Sequence, residues 1–272
     1  MSDPVIFLSF GGGVQSSVML MLAIHGEIER PDHVIFADTG WESKQTLTHV
    51  EWSRRQCEKA GIPFHVVGEH SIYDDARAYG SGESGLSHWA SIPLFVDTDQ
   101  GGQIRRQCTS EYKITPIRKK QRELLGYEKG QRIPVGSAVV QIGISTDEAR
   151  RASPSRERWV DNAFPLIDPM KMSRADCQAW WETHYPHRQL AKSSCVGCPY
   201  KSDAEWRRLK ADSPDEWAQV VEFDQAIRVV SGMRGKSYLH RSVRPIDAVD
   251  LNESQGGFDL EDAIYCAGGC GL

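Results

Sequence analysis

Apolar and polar positions change period in blocks along the first third of the chain. V-I-F-L-S-F over residues 5–10 is a continuous apolar run of strand length; three glycines follow, then a mostly apolar stretch at residues 16–25 of helical length. H-V-I-F-A at 33–37 and F-H-V-V at 64–67 read as second and third strands, and residues 43–60 between them place apolar positions at helical spacing among charged ones. Strands alternating with helices in this way predict a parallel sheet covered on both faces. Residues 70–105 then lose periodicity and gain Gly80, Gly82, Gly85, Gly101 and Gly102, which predicts a long loop of the lid or binding type.

The pattern resumes with a basic helix at 108–125 and a buried strand at 138–144. Ser173 and Asp176 make a capping-box start for a helix carrying Trp180 and Trp181, and further helices are expected at 202–211 and 214–231. From Asp250 the chain is polar and glycine-rich and ends C-A-G-G-C-G-L; no internal repeat is visible. The expected fold class is α/β: a Rossmann-like, doubly wound parallel sheet with a helical C-terminal part. Its expected division is a nucleotide-binding α/β domain over 1–168 with residues 70–105 as an insertion, a helical region over 169–249, and a cysteine-containing tail over 250–272.

Composition narrows this little. Of 272 residues 40% are hydrophobic and 25% charged, which is ordinary for a globular chain, and the net charge of -5 argues against indiscriminate binding to nucleic acid without excluding a local basic face. No apolar run reaches membrane-spanning length and no basic-then-apolar leader opens the chain, so a cytoplasmic protein with no membrane partner is expected. Seven cysteines, an odd number, fit a reduced chain with a metal or redox site better than a disulfide framework.

Three features carry chemistry. Gly11, Gly12 and Gly13 stand between a strand and a helix and are followed by Ser16 and Ser17; glycines let backbone N–H groups converge where the helix dipole points, which makes a phosphate cradle. A tight turn without a ligand would look the same locally, and the spacing is neither that of a Walker A loop nor that of a dinucleotide fingerprint. Cys195-x-x-Cys198 before Pro199 is a thiolate pair in a turn, suited to zinc or an iron–sulfur cluster. Arg150, Arg151, Arg156 and Arg158 follow a predicted strand end, where arginine forks suit sulfate, phosphate or a nucleic-acid backbone. A fourth, weaker feature is the mixed aromatic and cationic stretch at 234–244, of the kind found on single-stranded nucleic-acid surfaces.

S-F-G-G-G-V-Q-S-S resembles the PP-loop, written S-G-G-x-D-S, of the ATP pyrophosphatase and sulfonucleotide reductase superfamily. F-A-D-T-G-W-E (residues 36–42) is similar to that superfamily's second-strand signature, where adenosine is held. R-R-Q-C-T-S-E-Y-K-I-T-P-I-R-K resembles the C-C-x-x-x-K-x-x-P-L-R segment of cluster-containing adenylylsulfate reductases through Cys108, Lys113, Pro116 and Arg118. I-G-I-S-T-D-E-A-R-R-A-S-P-S-R, F-P-L-I-D, S-S-C-V-G-C-P and the terminal G-G-C-G-L resemble later segments of the phosphoadenosine phosphosulfate and adenylylsulfate reductase family. In order, the matches cover most of residues 5–200.

The resemblance implies nucleotide contacts from Ser9, Gly11, Gly12, Gly13, Gln15, Ser16, Ser17, Asp38, Thr39 and Gly143. It implies a 4Fe–4S cluster on Cys108, Cys195 and Cys198; because Gln107 replaces the first cysteine of the C-C pair, the fourth iron is either left open or taken by a tail cysteine, Cys266 or else Cys270. Cys270 would be the tail nucleophile, with Arg150 and Arg151 beside it as catalytic cations; Cys57 and Cys177 are expected to be plain helix thiols. Gln15 stands where ATP-cleaving members carry Asp, a residue that reductase members often lack. The cofactors implied are the cluster, an adenine nucleotide (ATP or a sulfonucleotide) and, for ATP, Mg²⁺.

Three functions follow. One is sulfur transfer, with adenylation and thiolation of a tRNA, DNA or small-molecule acceptor and a cysteine desulfurase as sulfur partner. Another is a true sulfonucleotide reductase, in which Cys270 acts with a thioredoxin-like partner. The third is a non-catalytic, cluster-bearing nucleotide-binding subunit, and a homodimer is compatible with each.

Overall fold

A computed structural model describes residues 3–81, 92–99, 101–190, 192–229 and 234–252. Cys266 and Cys270, like Gly82 and Gly85, lie outside the described residues.

β1 (Val5–Phe10) is followed by α1 (Val14–His25), β2 (His33–Ala37), α2 (Lys44–Lys59) and β3 (Phe64–Val67). After these come α3 (Ile72–Ser81), β4 (Phe95–Asp97), a π-helical turn (Ser110–Ile114) that runs into α4 (Thr115–Leu124), and β5 (Ala138–Ile142). A 3-10 turn (Thr146–Arg151), β6 (Val160–Ala163), α5 (Arg174–His184), α6 (Asp203–Asp212), α7 (Pro214–Ala226) and β7 (Lys236–Tyr238) complete the main elements. Five strands form one wholly parallel sheet in the order β3-β2-β1-β5-β6, and β4 pairs with β7 antiparallel in a separate ribbon. Among the described residues no helix is long and apolar enough to cross a membrane.

β1 is the centre of the sheet, paired with both β2 and β5, so its side chains are covered on two faces and an unbroken apolar run suits it. α1 is buried along its whole first ten residues, from Val14 to Ala23, because the sheet lies on one side of it and α5, through Cys177 and Trp181, on the other. Buried all round, it needs no polar stripe. α2 is half exposed, with Thr46, His49, Val50, Ser53 and Cys57 turned inward and Glu51, Arg54 and Arg55 paired on the outside. Ile117 of α4 packs with Phe7, Ile35 and Val140 on the opposite face of the sheet. A third core joins Trp41 and Ile72 to Trp206, Phe223 and Leu239 of the C-terminal part.

Strand order decides where a ligand can sit. The chain runs outward from β1 through β2 to β3 and then crosses to β5 on the other side of β1. Helical connections therefore leave the carboxyl ends of β1 and β5 on opposite faces and open a crevice between them. Ser9 of β1 stands level with Ile142 of β5, so Gly11 and Gly143 leave the sheet side by side at that crevice.

The observed elements depart from the sequence pattern in a few places. The 70–105 stretch is not loop throughout: α3 forms because Ser71 Oγ accepts the Asp74 N–H and because Ile72 and Ala76, four apart, are buried on one side. β4 pairs with β7, Phe95 opposite Tyr238, which is too distant in sequence for any local pattern to reveal, and also bridges Gln103 on its other side. The Pro165–Asp168 segment is a turn, not a strand; β6 ends before it at Ala163, as a proline lacking an N–H cannot continue a ladder. β5 stops at Ile142 and α7 at Ala226, each short of the predicted end.

The capping box on α5 is present in full: Ser173 Oγ accepts the Asp176 N–H at 3.1 Å, and Asp176 Oδ2 accepts the Ser173 N–H at 2.9 Å. Ser173→Ala is expected to lower stability by about 1 kcal/mol, measured by urea unfolding, with no change in the denaturant slope.

Candidate functional site

The crevice between β1 and β5 opens into a cavity with three kinds of wall. Gly11, Gly13, Gln15 and Ser16 form the first, at the start of α1. Gly13 caps that helix without a side-chain hydrogen bond, and no acidic residue lies in its first turn, so its leading N–H groups and its dipole are left for a ligand. Gly12 does not line the cavity: at φ +72° it turns inward, where a Cβ would stand 3.3 Å from the Thr46 methyl, and so shapes the loop from below. Ser17 also faces away, its Oγ donating to the Gly13 carbonyl at 2.7 Å and meeting His49 Nε2 at 2.8 Å.

Buried among Phe10, Trp52 and Trp181, His49 has its pKa lowered to about 4, first by loss of solvent and then by the Arg188 charge. It is therefore neutral at pH 7 and acts as a fixed strut under the glycine loop.

Gln15, in the position where an ATP-cleaving loop carries Asp, donates from Nε2 to Glu148 Oε2 at 3.0 Å and to Ser145 Oγ at 3.4 Å. The other oxygen of Glu148 accepts from Arg151. Gln15, Glu148 and Arg151 all reach the cavity wall, so the carboxylate next to the loop comes from beyond β5 and is already engaged on both oxygens. Arg150, one residue earlier, is exposed and off the wall. Asp38 is off the wall too; its Oδ1 accepts the Gly40 N–H at 2.8 Å and shapes the turn after β2, whereas Thr39 and Ser9 do line the cavity, with Gly143 between them and the loop.

The second wall is cysteine-bearing. Cys108 at the start of the π-helical turn, Cys195 and Cys198 all line the same cavity as the glycine loop. The Cys195–Cys198 turn closes on itself through a 3.1 Å bond from Cys198 N–H to the Cys195 carbonyl, and it is fastened to the end of β2 by Val196 N–H donating to the Trp41 carbonyl at 2.8 Å. Gly197 is required there: a Cβ would lie 2.0 Å from the Trp41 ring.

Behind Cys195 sits a buried polar chain. Thr39 Oγ1 lies 3.3 Å from Cys195 Sγ and donates to Glu42 Oε1 at 3.2 Å, and the same oxygen meets Lys113 Nζ at 3.2 Å. The Glu42 side chain is 0% exposed, and its second oxygen has no hydrogen-bond partner. Burial pushes the Cys195 thiol well above its ordinary range, with Glu42 adding to the effect, and burial raises Cys198 as well. Such thiols are poor nucleophiles by themselves, whereas metal coordination removes the proton outright.

Three cysteines on one wall are the donor chemistry of an iron–sulfur cluster. No three His, Cys, Asp or Glu side chains among the described residues stand together as a ready-made site for a single metal ion. Cys57 and Cys177 are buried on α2 and α5 with thiols pushed up to about 12 by burial, away from this wall.

The third wall is cationic. Arg106, Lys113, Arg151, Arg174, Lys192 and Lys201 face the cavity against only Glu148 and Glu205, in a chain whose net charge is -5. An anion is the ligand such a wall selects. Phe36, Ile72, Ile92 and Ile117 give the same cavity an apolar part.

Several of these residues did not stand out as ligand contacts in the sequence. Glu42 and Lys113 lay inside recognised segments, but a buried ion pair between positions 71 apart has no local signature. Glu148 likewise lay inside a recognised segment without standing out, and Lys192 and Glu205 carried no signal at all.

Residues 5–133 match the family model of the phosphoadenosine phosphosulfate reductase domain. No curated protein matches the sequence significantly. Among solved structures, the chain is similar to the phosphoadenylyl-sulfate reductase of Candida auris in a phosphate complex, at 15% identity over 70% of this chain and 82% of that one, with a TM-score of 0.41. It is also similar to the U34-tRNA thiolase NcsA of Methanococcus maripaludis with its 4Fe–4S cluster, at 13% identity over 86% of this chain and 74% of that one, with a TM-score of 0.40. Likeness at this level transfers no residue roles.

Two predictions come from the site's supports. Gly197→Ala should cost about 1–3 kcal/mol in urea unfolding and shift the tryptophan emission as Trp41 is displaced. His49 has a folded pKa below its unfolded value, so its contribution is present above pH 6.5 and is lost as pH falls toward 4. Wild-type stability should drop by up to about 3 kcal/mol over that window. In His49→Gln the slope over the same pH range should flatten.

Proposed function

We propose that this chain, which carries a phosphoadenosine phosphosulfate reductase domain over residues 5–133, binds an adenine nucleotide at the glycine loop and performs sulfur chemistry at the cysteine wall of the same cavity. The observation that carries the reading is this shared cavity: Gly11, Gly13 and Ser16 line one part of it, and Cys108, Cys195 and Cys198 another. The uncapped start of α1 and the cationic wall would hold the phosphates, and the apolar side chains near β2 would take the adenine.

Cys108, Cys195 and Cys198 would hold a 4Fe–4S cluster, and its fourth iron would either be closed by Cys266 of the tail or stay open. Open, that iron would supply a thiophilic centre for sulfur. The chain's own residues do the rest. Thr39 orients the Cys195 sulfur, and the Glu42–Lys113 pair fixes Thr39. Arg151, steered by Glu148, neutralises charge on the phosphoryl group beside Gln15.

In the sulfur-transfer reaction an acceptor oxygen attacks the α-phosphorus of ATP, pyrophosphate leaves, and a sulfide sulfur then displaces AMP from the adenylylated acceptor. The acceptor would be a tRNA, a DNA or a small molecule, with Mg²⁺ on the ATP; a cysteine desulfurase would supply the sulfur as a persulfide, which a dithiol reduces to the sulfide while leaving as its own disulfide.

Gln15 favours a second reading, the sulfonucleotide reductase. Its amide donates to Glu148 and offers no carboxylate to a cation, which suits a substrate already activated. Cys270 would attack the sulfur of adenylylsulfate and displace AMP. A thioredoxin-like dithiol would then release sulfite from the S-sulfocysteine and leave as its own disulfide.

Anaerobic enzyme given ATP with a sulfide source and total tRNA or DNA as acceptor, or adenylylsulfate with a dithiol reductant, separates the two. Pyrophosphate from ATP is the expected result. Sulfite without pyrophosphate transfers the assignment to the reductase, and neither product overturns both. Cys195→Ala should abolish sulfur chemistry and iron retention while leaving nucleotide affinity within about threefold, because phosphate binding stands on the loop and the cations.

A further inference from the structure

The residues just before the cysteine turn touch the glycine loop. Ser193 Oγ donates to the Gly11 carbonyl, and a Cβ on Gly13 would stand 3.6 Å from the Ser193 Cβ. Short of a cavity, this contact would only brace the loop. Its neighbours give it more. Lys192 precedes Ser193 and reaches the cavity wall, and Ser194 follows it and accepts from Lys201 Nζ at 2.8 Å. Two ammonium groups thus flank the residue that rests on the phosphate loop.

One of them is held by a carboxylate. Glu205 takes Lys192 Nζ on its two oxygens, at 3.2 and 3.3 Å. Burial pushes the Glu205 carboxyl up, yet the Ser202 N–H and the charges of Lys192 and Lys201 outweigh this and leave it below the usual carboxylate range. Glu205 also closes the capping box of α6 through Ser202, which fixes its place. A carboxylate fixed against Lys192 at a cavity wall holds that ammonium in place and competes with any anion that arrives there, while Ser194 holds Lys201.

We propose that Lys192, paired with Glu205, and Lys201, bonded to Ser194, form a second anion subsite beside the glycine loop, which takes the outer oxyanion of the nucleotide, meaning the group attached beyond its α-phosphate. The inference rests on the nucleotide reading above and extends it. The glycine loop and α1 hold the α-phosphate, and the lysine pair reads whether a further phosphate or sulfate is present. The subsite lies between the loop and Cys195, so that outer group would be held on the cysteine side.

The test is calorimetric titration of the full chain, kept anaerobic, with AMP, ADP and adenylylsulfate, on wild type and on Lys192→Met, Lys201→Met and Glu205→Gln. The methionines keep the apolar stems and remove only the charge, and glutamine keeps a side chain able to serve the capping box. Wild type should bind ADP or adenylylsulfate at least about tenfold more tightly than AMP. Each lysine variant should lose about fivefold or more of that affinity and leave AMP within about twofold. Glu205→Gln, which removes the competing charge, should tighten the same ligand severalfold.

Loss confined to ADP identifies a distal phosphate as the natural occupant, and loss confined to adenylylsulfate identifies a sulfate. Equal weakening of AMP and the longer ligands, no change in any of them, or weaker binding in Glu205→Gln would overturn the subsite. If wild type binds none of the three nucleotides, the nucleotide reading itself fails and this inference with it. If wild type binds them and the variants do not discriminate, only the subsite fails.

Discussion

The order in which the chain adds strands to the parallel sheet reverses at β1, and the site depends on that reversal. A parallel strand pair cannot be joined by a hairpin, so each connection must cross over a face of the sheet. Where consecutive connections take opposite faces, two strand ends are left without a covering segment. In this chain those ends are Gly11 and Gly143, and α1 starts at the uncovered place with its first N–H groups unpaired by any side chain. The loop needs glycine at Gly12, whose positive φ tucks it against Thr46 and leaves Gly11 and Gly13 at the cavity wall. His49 and Ser17 then brace the loop from beneath.

A second constraint joins the cysteine wall to this cradle. The Cys195–Cys198 turn has almost no regular structure of its own and takes its position from β2, through the Trp41 carbonyl and the fit of Gly197 against the Trp41 ring. Beneath it lies the Glu42–Lys113 pair. A buried ion pair is weak grounds for stability, since desolvating both charges offsets most of their attraction, and one oxygen of Glu42 remains unpaired. Its retention is better explained by what it holds. Lys113 belongs to the π-helical turn that begins beside Cys108, and Glu42 bonds the threonine that touches Cys195. One carboxylate thereby sets the spacing between two cysteine-bearing segments that are far apart in sequence. π-helical turns are frequent at functional sites, and here the widened turn lies next to Cys108.

Local sequence revealed what local physics determines. The strand at 33–37 and the capping box at Ser173 could be read because burial on both faces, or a side-chain cap, leaves a mark within a few residues. The glycine loop and the Cys195-x-x-Cys198 pair could be read for the same reason, and they do meet in one cavity. α3 was hidden because glycine content masked a short apolar face. β4 was hidden because its partner is more than a hundred residues away. Ser17 and Asp38, read as ligand contacts from their place beside a motif, are turned toward the protein, where they support the loop and the turn. Motif membership marks a neighbourhood, and hydrogen bonding decides which members face the cavity.

The same distinction explains Gln15. From the motif alone it is a missing carboxylate. In three dimensions it is a donor, and the acid it binds is Glu148, brought in from beyond β5 and neutralised by Arg151. A free acid next to the cradle would repel phosphate, whereas this arrangement delivers a guanidinium to the wall and leaves the loop's positive field intact. The cavity as a whole is lined by two acids against six cations in an acidic protein. A cavity so biased favours an anion, and its cysteines and its glycine loop line that same space.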